Sequence, residues 1–226
     1  MSITKAYEDQ VAAVSAVMME PDALPSSSVA INQAYQNSGR SVPLTWDGVV
    51  PSSRGDWMQT ATGRAFYPLD PQPEEISIDD IAAALSKMCR YGGHTTRFYS
   101  VAEHCVHIAS HPDCPDELRL TALLHDASEA YLSDVIRPIK PFLTNYTEIE
   151  QRLERVIAEK FGTIYPFPAI IKEMDTRILM DERDQAMAKP PQDWRLRGEP
   201  LGVRLQFWTP QVAEWEFLGA FYNVIG

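Results

Sequence analysis

His125 and Asp126 stand side by side in the run Leu123-Leu124-His125-Asp126-Ala127-Ser128-Glu129-Ala130-Tyr131. An imidazole and a carboxylate are costly to strip of water, so a fold that buries this run must deliver partners to the pair. Leu118, Ala122, His125 and Glu129 follow steps of four, three and four, which sets them on one stripe of a helix with Asp126 one residue round. One imidazole and two carboxylates then converge on one side, a donor set that suits a divalent cation. Alone, a His-Asp dipeptide is equally a helix cap or a surface pair, and only remote partners make it a site.

Two remote partners are present. Ser100-Val101-Ala102-Glu103 reads as a capping box, so a helix starts there and carries His104 in its first turn, with Val101, Cys105 and Ile108 available to pack. Farther on, Pro168 suits the first turn of another helix, on which Ile171, Asp175, Ile178 and Glu182 share a face. Asp175 is thus a carboxylate in an apolar stripe. Read by itself it is also a partner for Arg177 or Lys172, and His104 by itself is also a satisfied core histidine.

Taken together, His104, His125-Asp126 and Asp175 match the H…HD…D pattern of the HD-domain metal-dependent phosphohydrolases, and the chain resembles that superfamily. Arg90-Tyr91, the segment Ser100-Val101-Ala102-Glu103-His104, and His125-Asp126-Ala127-Ser128-Glu129 followed by Asp134, Pro138 and Lys140 resemble the bacterial 5′-deoxynucleotidases. The stretch from Trp57 onward is more similar still to phage deoxyadenylate (dATP) triphosphohydrolases. Gly63-Arg64-Ala65-Phe66-Tyr67-Pro68 and the closing Trp208-Thr209-Pro210 belong to that likeness, which spans about three quarters of the chain.

The resemblance implies an all-α fold, an HD-domain helical bundle around a metal site, with residues 57–226 as the phosphohydrolase domain and residues 1–56 as a largely irregular N-terminal extension. It implies one divalent ion (Zn, Co, Mn or Mg) held by His104, His125, Asp126 and Asp175, with further Mg or Co carried in on the phosphates. Such an ion polarises a phosphoryl group and acidifies water. Glu129, one turn beyond His125, and Asp134 are the expected catalytic carboxylates, orienting or deprotonating the attacking water. Arg90, Arg97, Arg137 and Lys140 are the expected phosphate clamps, and Tyr91 and Ile136 are placed to meet a base. The implied reaction is hydrolysis of dATP, and of dADP or dAMP, to deoxyadenosine plus triphosphate or phosphate. A general 5′-deoxynucleotidase and an HD phosphodiesterase of cyclic or oligomeric nucleotides are the alternatives. The superfamily also implies a homo-oligomer, a dimer or a hexamer.

Charge agrees with a small substrate. Twenty Lys and Arg against 31 Asp and Glu give −11, which disfavours long nucleic acid as a partner, while several of the few cations cluster around the HD motifs. No apolar run approaches the length of a membrane span, and the amino terminus lacks a basic-then-apolar signal, so a cytoplasmic protein is expected, in the host cytoplasm if phage-encoded. Three cysteines, Cys89, Cys105 and Cys114, read as reduced thiols. A zinc knuckle from Cys105, His107, His111 and Cys114 is disfavoured, because the first two lie two residues apart on a helix and point to different sides.

The remaining segments follow helix grammar. Residues 4–19 read as a short helix and 21–54 as a linker or arm rich in Pro, Ser, Asn and Gly. Residues 57–73 read as extended chain with a short hairpin at Thr62-Gly63. Ser77 and Asp80 cap a helix with Ile78, Ile81, Leu85 and Met88 inward, closed by Gly92-Gly93. Thr147 to Glu150 opens a helix with Ile149, Leu153, Val156 and Phe161 inward, stopped by Gly162. Thr209-Pro210 starts a terminal helix whose expected apolar stripe is Val212, Trp215, Leu218 and Phe221.

Overall fold

The computed structural model describes residues 54–226, and the expected helix at 4–19 and the expected arm at 21–54, apart from Arg54, lie outside them. Among the described residues the architecture is all-α: seven helices and one two-stranded ribbon. The ribbon pairs β1 (Met58–Gln59) with β2 (Ala65–Phe66) antiparallel, around the expected turn at Thr62-Gly63. Gly63 sits at φ +84°, a conformation that needs no Cβ, and its N–H closes the turn on the Thr60 carbonyl at 3.0 Å.

Helix α1 (Ile78–Lys87) follows, and Ile81 and Leu85 are fully buried on it. Its start differs from a capping box. Ser77 makes no side-chain cap; the buried Asp80 carboxylate instead accepts from the N–H and Oγ1 of Thr62, at 2.7 and 2.9 Å, and ties the ribbon to the helix. The helix also stops five residues before Gly92. Gly92 and Gly93 serve a separate 3-10 turn, Arg90–Gly93, in which Tyr91 (φ +57°) also adopts left-handed backbone. A non-glycine residue held there stores strain, which is typical of functional positions.

Helix α2 (Val101–Ser110) is the hub. It packs against α1, α3 (Arg119–Leu123), α6 (Ala169–Ala186) and α7 (Pro210–Ile225), so that nearly every side chain on it is buried. Ser100 caps it as expected, its Oγ accepting from the Glu103 N–H at 3.1 Å. The Glu103 carboxylate does not reach back to complete the box. It accepts from three successive backbone N–H groups, Gln206 (2.7 Å), Phe207 (2.9 Å) and Trp208 (2.7 Å), and from His107 at 3.3 Å. One buried carboxylate thereby anchors the chain just before α7 to the central helix.

The HD pair is not in a continuous helix. α3 ends at Leu123, and Leu124 to Ser128 form a turn with i to i−3 hydrogen bonds before the short α4 (Glu129–Leu132). The cause is local: the His125 ring takes the Ala122 carbonyl at 2.7 Å, an acceptor that an α-helix would offer to the Asp126 N–H. The break leaves Asp126 and Glu129 both facing one cleft.

Helix α5 (Tyr146–Phe161) begins at Tyr146, one residue before the expected box, and Glu150 pairs instead with Lys140 at 2.7 Å. Ile157 and Leu153, rather than Val156, are its deepest apolar residues, and Gly162 at φ +70° ends it as expected. On α7 the buried stripe is Ala213, Phe217 and Phe221, while Trp215 is 73% exposed. The expected stripe of large side chains is therefore rotated: small Ala213 and large Phe217 are fully buried in the core on a helix that packs against α1 and α2. No described helix is long and apolar enough to cross a membrane.

Candidate metal centre

The four expected ligands meet through one atom. His104 Nε2 lies 3.3 Å from His125 Nε2, 3.3 Å from Asp175 Oδ1 and 3.5 Å from Asp126 Oδ2, and His125 Nε2 lies 3.3 Å from Asp126 Oδ1. Donors around a four-coordinate ion with ~2.1 Å bonds sit roughly 3.4 Å apart, so these spacings match a shared cation. Among the described residues, His104, His125 and Asp126 form the one group of three such donors mutually within 4.8 Å, and Asp175 joins it through His104.

Both imidazoles are oriented by their other nitrogen. His104 Nδ1 donates to Glu182 Oε1 at 2.7 Å, and His125 Nδ1 donates to the Ala122 carbonyl, which can only accept. Each Nε2 then presents a lone pair to the same point. Two such lone pairs facing each other beside two carboxylates repel unless a positive charge lies between them, and this is the donor chemistry of a cation site. Without an ion the same surroundings draw a proton to that point: although burial and Arg90 oppose it, the Glu182 and Asp175 carboxylates push His104 up to about 9, so an ion and a proton compete for His104 Nε2. Asp175 is held well below the usual carboxylate range; burial works against this, but its bond to His104 and the charges of His104, His125 and Arg90 outweigh it. Asp175 reaches His104 rather than Arg177, whose guanidinium pairs with Asp113 and Glu173.

Glu182 is the residue that the sequence placed on the stripe without a role. It is fully buried, and its two oxygens accept from His104, from Tyr99 Oη at 3.0 Å, from Arg90 at 3.2 Å and from the Tyr91 hydroxyl. Burial alone would raise its pKa, but Arg90 and His104 hold it down at about 2, so it stays an anion that fixes the His104 tautomer. The signal was available: Glu182 lies two helical turns beyond Asp175 on the same face.

Asp126 and Asp175 of this candidate set also line a cleft of about 440 Å³. Glu129 and Asp134 line it with Asp126. Glu129 Oε2 is buried without a hydrogen-bond partner, and burial together with the charges of Asp126 and Asp134 pushes its carboxyl well above the usual range. Burial and Asp126 also raise Asp134. Three crowded carboxylates of this kind favour an added cation.

Of the expected substrate contacts, Arg90, Tyr91, Ile136, Arg137 and Lys140 line the cleft. Arg90 is also a brace, bridging Glu182 and Asp126 (3.5 Å) from a buried position. Arg97 is not among the lining residues: its guanidinium stacks 4.1 Å from the Phe207 ring centroid, which satisfies the cation on the outer side of the segment held by Glu103. Trp194, Leu179 and Leu196 line the cleft without having been singled out in the sequence. The disfavoured knuckle does not gather either, since Cys105 is fully buried in the core and His107 bonds Glu103 and stacks on Trp208. All three cysteines are free thiols.

No protein-family model matches the chain. It is 38% identical over 127 residues to the uncharacterized protein YfdR of Escherichia coli (strain K12), a match that covers 56% of this chain and 70% of YfdR. It is 39% identical over 124 residues to the uncharacterized protein RCAP_rcc00048 of Rhodobacter capsulatus, covering 51% of this chain and 63% of that relative, just under two thirds of its length. At that identity, and across that share of the relative's length, the chain belongs to the same family as YfdR.

Proposed function

We propose that the protein is a divalent-metal-dependent phosphohydrolase of 2′-deoxynucleotides, with dATP as the first candidate substrate and dADP and dAMP as the next. The observation that carries this reading is the pair of histidines, each tied at Nδ1, whose Nε2 atoms converge with Asp126 and Asp175 beside a buried Glu129 oxygen that lacks a partner. His104, His125, Asp126 and Asp175 would hold the ion. The ion would supply Lewis acidity toward a phosphoryl oxygen and toward water.

The chain's own groups perform the rest. Glu129 Oε2 accepts a hydrogen bond from the attacking water and takes its proton, and Asp134, on the same wall, orients that water or the leaving oxygen. Lys140 and Arg137 neutralise charge on the phosphate chain, with Arg90 fixed behind Asp126. Addition of water across the bond between the 5′ oxygen and the α-phosphorus yields deoxyadenosine and triphosphate from dATP, or phosphate from dAMP, with the water's proton passing to Glu129 and then to the 5′ oxygen. An acidic chain with a few cations at one cleft suits a small anion better than a polyanion.

The test is incubation of the full-length protein with each deoxynucleoside mono- and triphosphate and a panel of Zn, Co, Mn and Mg, followed by identification of the phosphate product. Inorganic triphosphate from dATP supports the triphosphohydrolase; turnover of monophosphates alone supports a 5′-deoxynucleotidase; no hydrolysis under any condition overturns the proposal. His125→Ala is expected to abolish both ion uptake and turnover, and hydrolysis by a folded, ion-free His125→Ala protein would remove the mechanism.

A further inference from the structure

The cleft has two kinds of lining. One is the carboxylate and cation cluster already described. The other is apolar: Leu179, one turn beyond Asp175 on α6, together with Trp194 and Leu196 from the connection between α6 and α7, and Ile136 from the segment after α4. Trp194 and Tyr91 both line the cleft, with ring centroids 5.8 Å apart and planes tilted by 51°. Arg195, the next residue, is at φ +56° and turns the chain sharply after the tryptophan. Ile136 is 41% exposed at the rim. A phosphate or a sugar alone would engage the charged lining and leave the apolar lining without a partner, whereas a ligand with an anionic group and a flat apolar group can use both.

We propose that Trp194 is a specificity-determining residue whose indole, with Ile136 and Leu179, seats the base of the nucleotide. The inference rests on the phosphohydrolase reading for the anionic end of the ligand and adds the surface that recognises the other end. Aromatic faces bind bases through stacking, which is tolerant of base identity, so Trp194 selects for the presence of a base rather than for adenine over other bases. It lies in the connection between α6 and α7, outside the helices.

The test uses the full-length protein treated with EDTA, so that no turnover occurs, and two probes, 2′-deoxyadenosine 5′-monophosphate and base-free 2-deoxyribose 5-phosphate. The wild-type protein is expected to bind the nucleotide more tightly and to lose tryptophan fluorescence on binding. Trp194→Ala is expected to lose most of that quenching and to weaken nucleotide binding about tenfold or more while shifting the sugar phosphate by less than about threefold, and Trp194→Phe to recover most of the affinity. The inference is overturned if Trp194→Ala weakens both probes equally, if it leaves nucleotide binding intact, or if the wild-type protein binds both probes with equal affinity. Failure here is separable from failure of the reaction. Nucleotide binding that depends on Trp194, without hydrolysis under any ion, sinks the enzyme and keeps the subsite; hydrolysis indifferent to Trp194 does the reverse.

Discussion

Glu103 is fully buried and Glu129 half-buried with one oxygen shut away, both near the start of a helix, and the fold treats them oppositely. Glu103 is saturated by three backbone N–H groups and His107, which overcome burial and lower its pKa. Glu129 has one oxygen without a partner and carboxylates for neighbours, so burial and repulsion raise it. A carboxylate becomes structural where the backbone supplies donors, and is left available for chemistry where it is short of them.

Glu129→Gln tests the chemical half of that contrast and carries the largest expected effect. Turnover should fall about 10²- to 10⁴-fold with ion binding and thermal stability nearly unchanged, measured by steady-state kinetics beside a melting curve. A fall in stability with turnover preserved would invert the assignment. Glu103→Ala tests the structural half. It removes the charged acceptor of three part-buried N–H groups, so denaturant unfolding should show a loss of about 4 kcal/mol. A loss below about 1 kcal/mol would mean that the segment before α7 is held by its packing alone.

Glu182 lies between these extremes, saturated like Glu103 but joined to the site. Glu182→Gln should weaken ion binding by about 10- to 100-fold through a misoriented His104, read by calorimetry. Unchanged affinity would move Glu182 to the structural side. The smallest effect belongs to Glu154, a half-buried neighbour of Glu150, whose carboxyl is pushed up to about 7 by burial and by Glu150. An acid raised in the folded state stabilises most when protonated, so its contribution is complete below about pH 4.5 and is lost as pH rises through about 7. Glu154→Gln should flatten that decline, by about 1 kcal/mol after allowing for solvent at a half-exposed site, in melts across that range.

The residues of the candidate site were legible because each is a costly polar group in an apolar pattern: His104 after a cap, Asp175 in a stripe of isoleucines, His125-Asp126 in a run of leucine and alanine. What surrounds them was not. The helix break at Leu124 depends on a ring-to-carbonyl bond that periodicity does not encode, and the rotation of α7 depends on a small residue, Ala213, being preferred at a crowded contact. Glu103 looked like half of a capping box because its true partners lie 103 to 105 residues away. Arg97 carried the right charge at the wrong place, captured by Phe207. Trp194 sits in a loop with no periodic signal at all.

The anchoring of Gln206, Phe207 and Trp208 on Glu103 also sets an order of events during synthesis. The central helix carries an anion that has no backbone donors until the stretch at 206–208 has left the ribosome exit tunnel. Earlier nascent chains must therefore keep that helix wet or loosely docked, and the bundle closes cooperatively only once its last helix arrives. Truncations that remove this stretch should yield chains that bind chaperones rather than smaller versions of the same fold.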